Sequence, residues 1–297
     1  MNNFIEYFYN IKVDSIKNHN DYYSFIYDRY VYKLYLYDGN NINFMVDINK
    51  RLLGHTLISE IIFNKDNEPI SIYNGIRYIL MKVFAHGNKI TLDDINYFSN
   101  TLYTDNLNIN WGLLWSNKID YIEEMIAENG KKYPIIVDSF NYFVGLTENA
   151  ISYYNSIHVD KNYNYYLCHK CIRINDTDEV LYNPLNIIFD YKVRDIAEYI
   201  KNSFFLDNKN IFNELDNYLK YNELSITDVK LLISRVLYPS FYFELYEDIL
   251  INNKDEKIIV PIINALSRYE KYLNFVITYF KNKYDIDEVL WLRKNEV

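Results

Sequence analysis

The hydrophobic period of this 297-residue chain changes near residue 86, and that change limits the folds open to it. Before it, short aromatic and β-branched runs alternate with turn residues. Residues 22–27 and 30–37 flank Asp28-Arg29 as a hairpin, and runs at 57–63, 70–73 and 76–84 follow, with turn signals at Asp66-Asn67 and Asn74-Gly75. A short helical segment at 4–10 precedes them. Between the hairpin and the later runs, residues 41–53 place Ile42, Met45, Val46, Ile48, Leu52 and Leu53 at helical spacing, with Gly54 as a stop. After His86-Gly87-Asn88 the spacing is helical nearly to the end, over 92–102, 111–129, 134–157, 196–205, 211–221, 225–237, 241–251, 257–280 and 286–293. On the helix at 111, Trp111, Leu114, Trp115, Ile119 and Ile122 form one apolar face. The expected class is α+β: a small antiparallel-sheet lobe with one helix over 1–85, and a large, mainly helical lobe over 86–297, with His86-Gly87-Asn88 as the hinge between them.

Composition excludes several functions. Apolar residues make up 49% of the chain, ample for a core, and the formal net charge is -9 with charges interspersed along helices. A general nucleic-acid binder needs clustered Lys and Arg, so that class is set aside. No run approaches the ~20 uncharged apolar residues of a membrane span. The opening MNNFIEYFYNIK has neither a basic start nor a small-residue cleavage site, so no secretory signal is read there. A cytoplasmic protein with reduced thiols is expected. The 33 tyrosines are explained by codon bias toward A and T, yet they also offer phenols for contact or oxidative cross-linking.

The suggestive chemistry is packed into residues 165–201, YYLCHKCIRINDTDEVLYNPLNIIFDYKVRDIAEYIK. The run Leu185, Ile187, Ile188, Phe189 reads as a buried strand that delivers Asp190 to its C-terminal end. Arg194-Asp195 opens the following helix as an ion-pair or cap network. Cys168-His169-Lys170-Cys171 holds both cysteines of the chain and permits a second reading, a redox dithiol or half a zinc site. No second ligand pair exists at zinc spacing, and Ile172-Arg173-Ile174 does not read as the helix start a thioredoxin-like motif needs. Buried thiols without such a role are the simpler alternative.

His169-Lys170-Cys171, Asn175-Asp176, the strand ending Ile188-Phe189-Asp190, and Arg194 to Ile200 together resemble the core of the aminoglycoside-phosphotransferase-like kinases. More narrowly, they are similar to the spore coat kinase-like proteins of the CotS/YutH type. The segments WGLLWSNKIDYIEE (111–124), SFNYFVGLTENAISY (139–153) and RVLYPSFYFE (235–244) extend the resemblance over most of 85–250. It implies a protein-kinase-like two-lobe fold whose catalytic loop lies within 167–195. In such kinases a His-x-Asp loop supplies the base, an Asn a few residues on helps hold metal, and an Asp after a strand ligates magnesium. By the resemblance, His169 braces the loop, Cys171 stands at the base position, Asn175 or Asp176 at the Asn position, and Asp190 at the metal position.

A thiol cannot replace a proton-accepting carboxylate, because it offers one large soft atom where two oxygens are expected. The resemblance therefore implies a pseudokinase or kinase-shaped scaffold of the spore coat, with other coat proteins as partners and deposition on the coat as its destination. The enzymatic alternative is a small-molecule phosphotransferase that recruits Asp176 or Asp178 as base and Asp190 for Mg2+, with ATP as cofactor. For the nucleotide, the resemblance calls for a lysine on the third strand, and Lys33 is the candidate; an edge-strand lysine facing water is the other explanation. The helix at 41–53 offers Asp47 but no Glu to pair with it. Seven glycines in the chain supply no Gly-x-Gly-x-x-Gly phosphate cradle.

Overall fold

The computed structural model describes residues 1–173 and 175–293; Ile174, in the stretch where no helix start is expected, lies outside them, as do 294–297. The chain divides into two compact units, 1–102 with 169–188, and 103–168 with the residues from 189 onward. It begins with α1 (Asn2–Tyr9), β1 (Lys17–Asn18), β2 (Tyr22–Tyr27), β3 (Tyr30–Leu36), α2 (Ile42–Leu52), β4 (Glu60–Ile62), β5 (Ser71–Tyr73), β6 (Ile76–Val83) and α3 (Leu92–Ser99). The second unit takes over with β7 (Tyr103–Thr104), α4 (Trp111–Asn129), α5 (Pro134–Asn155) and β8 (Tyr165–His169). A return to the first unit forms α6 (Asp178–Leu181). The chain then leaves along β9 (Ile187–Asp190) into α7 (Arg194–Phe205), α8 (Ile211–Tyr221), α9 (Ile226–Leu237), α10 (Ser240–Leu250), α11 (Val260–Lys281) and α12 (Leu290–Arg293).

In the first unit the sheet runs β1-β2-β3-β6-β4, with β5 also paired to β6, all antiparallel. The β2–β3 hairpin closes on the Tyr27↔Tyr30 pair, and Asp28 and Arg29 both take left-handed φ, 47° and 67°. Two left-handed residues make the tight turn whose twist matches the strands. Period-2 alternation then sorts the sheet. Tyr32, Leu34, Tyr78 and Leu80 pack on one face with Phe4 and Ile5 of α1, while Ile79 and Met81 pack on the other with Met45 of α2.

The run at 57–63 yields a ladder only at Glu60–Ile62. Ahead of it the buried Asn49 side chain of α2 donates to Ser59 O (2.7 Å) and accepts from Ile61 N (3.1 Å). The Asn49 side chain thus satisfies backbone groups on the outer edge of β4, which face away from β6. The strand expected from Leu185 starts two residues later because Pro184–Asn186 form a 3-10 turn, capped by the Asn183 side chain on Leu185 N.

In the second unit α4 and α5 match the expected helices closely, and α4 buries Trp111, Trp115, Ile119 and Ile122. Leu114, expected on the same face, is 55% exposed. At ~100° per residue the four buried positions span less than a quarter of the wheel, and Leu114 falls well to one side of them. The tyrosine content serves the core as well as the surface: Tyr191, Tyr218, Tyr242, Tyr246 and Tyr269 are fully buried. The helix expected from 286 is regular only over Leu290–Arg293. Among the described residues no helix is long and apolar enough to cross a membrane.

Candidate functional site

Lys33 does not lie at an edge. Its strand β3 is paired on both sides, Lys33 opposite Ser24 of β2 and Met81 of β6, and the residue is 8% exposed. Neighbouring Tyr32 and Leu34 point toward α1, so alternation sends Lys33 to the opposite face. There its ammonium meets Glu179 Oε2 at 2.7 Å and lies 4.6 Å from the Tyr22 ring centroid. Kinases commonly pair such a lysine with a helix glutamate. In this chain α2 has no part in the pairing, since its Asp47 bonds Arg51 on the surface. The glutamate comes instead from α6, 146 residues along the chain. No local pattern points to it, because Glu179 sits on a single turn of helix far along the chain from Lys33.

Beside Glu179, Asp178 gathers backbone donors. Its Oδ1 accepts from Gly87 N (2.7 Å) and Asn88 N (3.1 Å), and its Oδ2 from His86 N (3.2 Å). Gly87 has a φ of 77°, a conformation that glycine adopts without steric cost. The reading of Asp178 as an alternative base therefore meets a carboxylate already engaged at both oxygens.

The first-unit residues that the resemblance assigns to a catalytic loop are held by local bonds. His169 is 1% exposed, with Nε2 at 2.8 Å from Leu181 O and its ring against Phe98. Asn186 clamps the Cys171 backbone, accepting from Cys171 N at 3.1 Å and donating to Cys171 O at 2.7 Å. The Cys171 side chain is half-buried. Asp176 Oδ2 accepts from Arg173 N at 2.6 Å. Burial raises the Asp176 pKa, and the Arg173 amide only partly offsets it.

In the second unit Asp190 ends β9 and is 3% exposed. Its Oδ1 accepts from Trp111 Nε1 (3.0 Å) and from Tyr191 N (2.7 Å), and its Oδ2 from Arg194 Nη1 (2.6 Å). Burial works against the Arg194 charge, but Asp190 and other carboxylates outweigh it and raise its pKa. In this arrangement Asp190 does not fit a magnesium ion, since a guanidinium neutralises one oxygen and two N–H donors take the other. Among the described residues no three His, Cys, Asp or Glu side chains gather where a metal could be held. Cys168 is fully buried, its Sγ 3.4 Å from Tyr191 O, and burial pushes its thiol pKa well up, away from the thiolate of redox chemistry. Neither cysteine forms a disulfide. No helix starts at Cys171 to Arg173.

A buried ionic network missed in the sequence lies deeper in the second unit. Glu198 Oε1 accepts from Lys201 Nζ (2.9 Å) and Arg235 Nε (2.7 Å), and Oε2 from Ser240 Oγ (2.9 Å). Lys201 also donates to Tyr238 O and Ser240 Oγ. Burial alone would raise the Glu198 pKa, yet Lys201 and Arg235 hold it at about 2, while burial drops Lys201 to about 8. The network joins α7, α9 and α10. The i,i+3 spacing of Glu198 and Lys201 was readable; their burial was not.

The family model described as Spore coat putative kinase YutH matches residues 2–277. The chain belongs to that family. A relative, the Endospore coat-associated protein YutH of Bacillus subtilis (strain 168), is 29% identical over 209 residues, which cover 62% of this chain and 61% of that protein's length. Among solved structures, the family member is similar to an aminoglycoside phosphotransferase from Alicyclobacillus acidocaldarius subsp. acidocaldarius DSM 446, with a TM-score of 0.63 at 9% identity, covering 91% of this chain and 92% of the other. It is also similar to a spectinomycin phosphotransferase crystallised with ADP and spectinomycin, with a TM-score of 0.58 at 16% identity and coverage of 98% and 95%. The fold is therefore kinase-like, with a small antiparallel-sheet part and a mainly helical part, as the sequence implied.

Proposed function

We propose that this member of the YutH family is a pseudokinase, a kinase-shaped scaffold that works on the spore coat without transferring phosphate. The observation that carries the reading is Asp190, whose two oxygens are taken by Arg194, Trp111 and Tyr191 N where a phosphotransferase needs a carboxylate for metal. Cys171 at the base position and the two-residue Asp28-Arg29 turn, which offers no glycine cradle for phosphates, point the same way. Lys33, the one nucleotide-facing cation the resemblance assigns, is engaged by Glu179. In this reading residues 1–85 act as the small lobe and 86–297 as the large one, with the degenerate loop at 167–195.

The B. subtilis relative is an endospore coat-associated protein. By that likeness we assign this chain to synthesis in the cytoplasm and deposition on the coat, among other coat proteins as partners. The test is calorimetry with ATP and Mg2+, run beside a phosphate-release assay. Absence of magnesium-dependent binding at millimolar nucleotide supports the scaffold. Tight binding with slow turnover, abolished by Asp190→Ala, overturns it in favour of a small-molecule phosphotransferase.

A further inference from the structure

Asp178 and Glu179 are adjacent carboxylates, and each fills a group that would otherwise attract an anion. Three successive amides, His86 N, Gly87 N and Asn88 N, converge on Asp178 within 2.7–3.2 Å. Such a run of backbone donors forms a concave anion site. One residue on, Glu179 takes the ammonium of the buried Lys33 at 2.7 Å. We propose that Asp178-Glu179 is a tethered anion that plugs the chain's own polyphosphate-binding groups, so that withdrawing it uncovers a site for a ligand bearing two or more phosphates. This inference rests on the pseudokinase reading and gives the reason its nucleotide groups are silent.

The plug is held from outside α6. Thr177 forms an antiparallel bridge with Lys89, Asp178 N donates to Asn88 O (2.8 Å), and Ile90 N donates to Asp176 O (3.3 Å). Residues 176–178 thus lie alongside 88–90 and bring both carboxylates to their donors with backbone bonds of their own. The two ends are held unequally. Asp178 is 8% exposed, whereas the Glu179 side chain is 35% exposed and has a single turn of helix behind it. Neutralising the carboxylates while keeping their shape leaves those backbone bonds intact and removes the charge-assisted part of their hold on the donors, so that a competing anion can displace the side chains.

The experiment compares the full chain with its Glu179→Gln and Asp178→Asn/Glu179→Gln variants, titrated with inorganic tripolyphosphate. The expected result is binding at least about tenfold tighter in the double variant than in the parent. That gain should vanish when Lys33→Met is added, and amide hydrogen exchange at Gly87 and Asn88, fast in the double variant, should slow again with tripolyphosphate. If the double variant fails to fold, Glu179→Gln carries the test, with a gain of at least about threefold. A folded variant that binds no better than the parent overturns the plug. A parent that binds and turns over ATP overturns the pseudokinase reading, while the variant-to-parent ratio still judges the plug.

Discussion

Arg194 Nη1 donates to Asp190 Oδ2 across 2.6 Å, so the last residue of β9 is tied to the first residue of α7. Both side chains are nearly enclosed, Asp190 at 5% and Arg194 at 14% exposure. A carboxylate held in this way is part of the architecture, and its removal should be felt in folding before it is felt in chemistry.

Asp190→Ala should lower unfolding free energy by about 3 kcal/mol, because it removes the nearest counterion of a buried guanidinium and the acceptor of an indole N–H. Urea unfolding followed by circular dichroism measures it. An unchanged midpoint would mean that Asp190 is held loosely, as a metal ligand would be.

On the proposed pseudokinase reading, an acid placed at Cys171 should not bring phosphate transfer. Cys171→Asp is expected to leave phosphate release from ATP at the parent's level, since Lys33 and Asp190 remain engaged. A rise of about tenfold or more, roughly 1.4 kcal/mol of barrier, would show that the thiol alone had silenced the site.

The Glu198 network predicts a specific acid limb. The folded-state pKa of Glu198, about 2, lies below its ordinary value of 4.5. Its stabilising contribution is therefore complete above pH 4.5 and is lost as pH falls toward 2. Unfolding measured at intervals from pH 6 to pH 2 should show this loss in the parent. Glu198→Gln should be less stable at pH 6 and should lack that portion of the acid dependence.

The hairpin turn gives a prediction of opposite sign. Arg29 holds a φ of 67° that costs an ordinary side chain but not glycine. Arg29→Gly should raise stability by about 0.5–1 kcal/mol, read as a higher urea midpoint, and a decrease would mean that the arginine side chain makes a compensating contact.

Regular elements were legible where hydrophobic period and punctuation agreed. Asp28-Arg29 between two aromatic runs announced the hairpin. Legibility ended where a side chain from another element covers the sheet edge, as Asn49 does at Ser59 and Ile61. The candidate site was readable as a roster of residues, Lys33, His169, Cys171, Asp176 and Asp190, through the resemblance. What each one touches was not, because Lys33–Glu179 and Trp111–Asp190 span 146 and 79 positions and follow no local period. Sequence spacing carries information over a few turns of chain, and these contacts depend on the folded path.

The Arg194–Asp190 pair also couples the two positions in any future sequence change. Replacing either residue alone leaves the other's charge enclosed without its nearest counterion, and that step weakens the protein. Change at this pair is thus uphill at its first substitution, whereas change at exposed positions meets no such barrier.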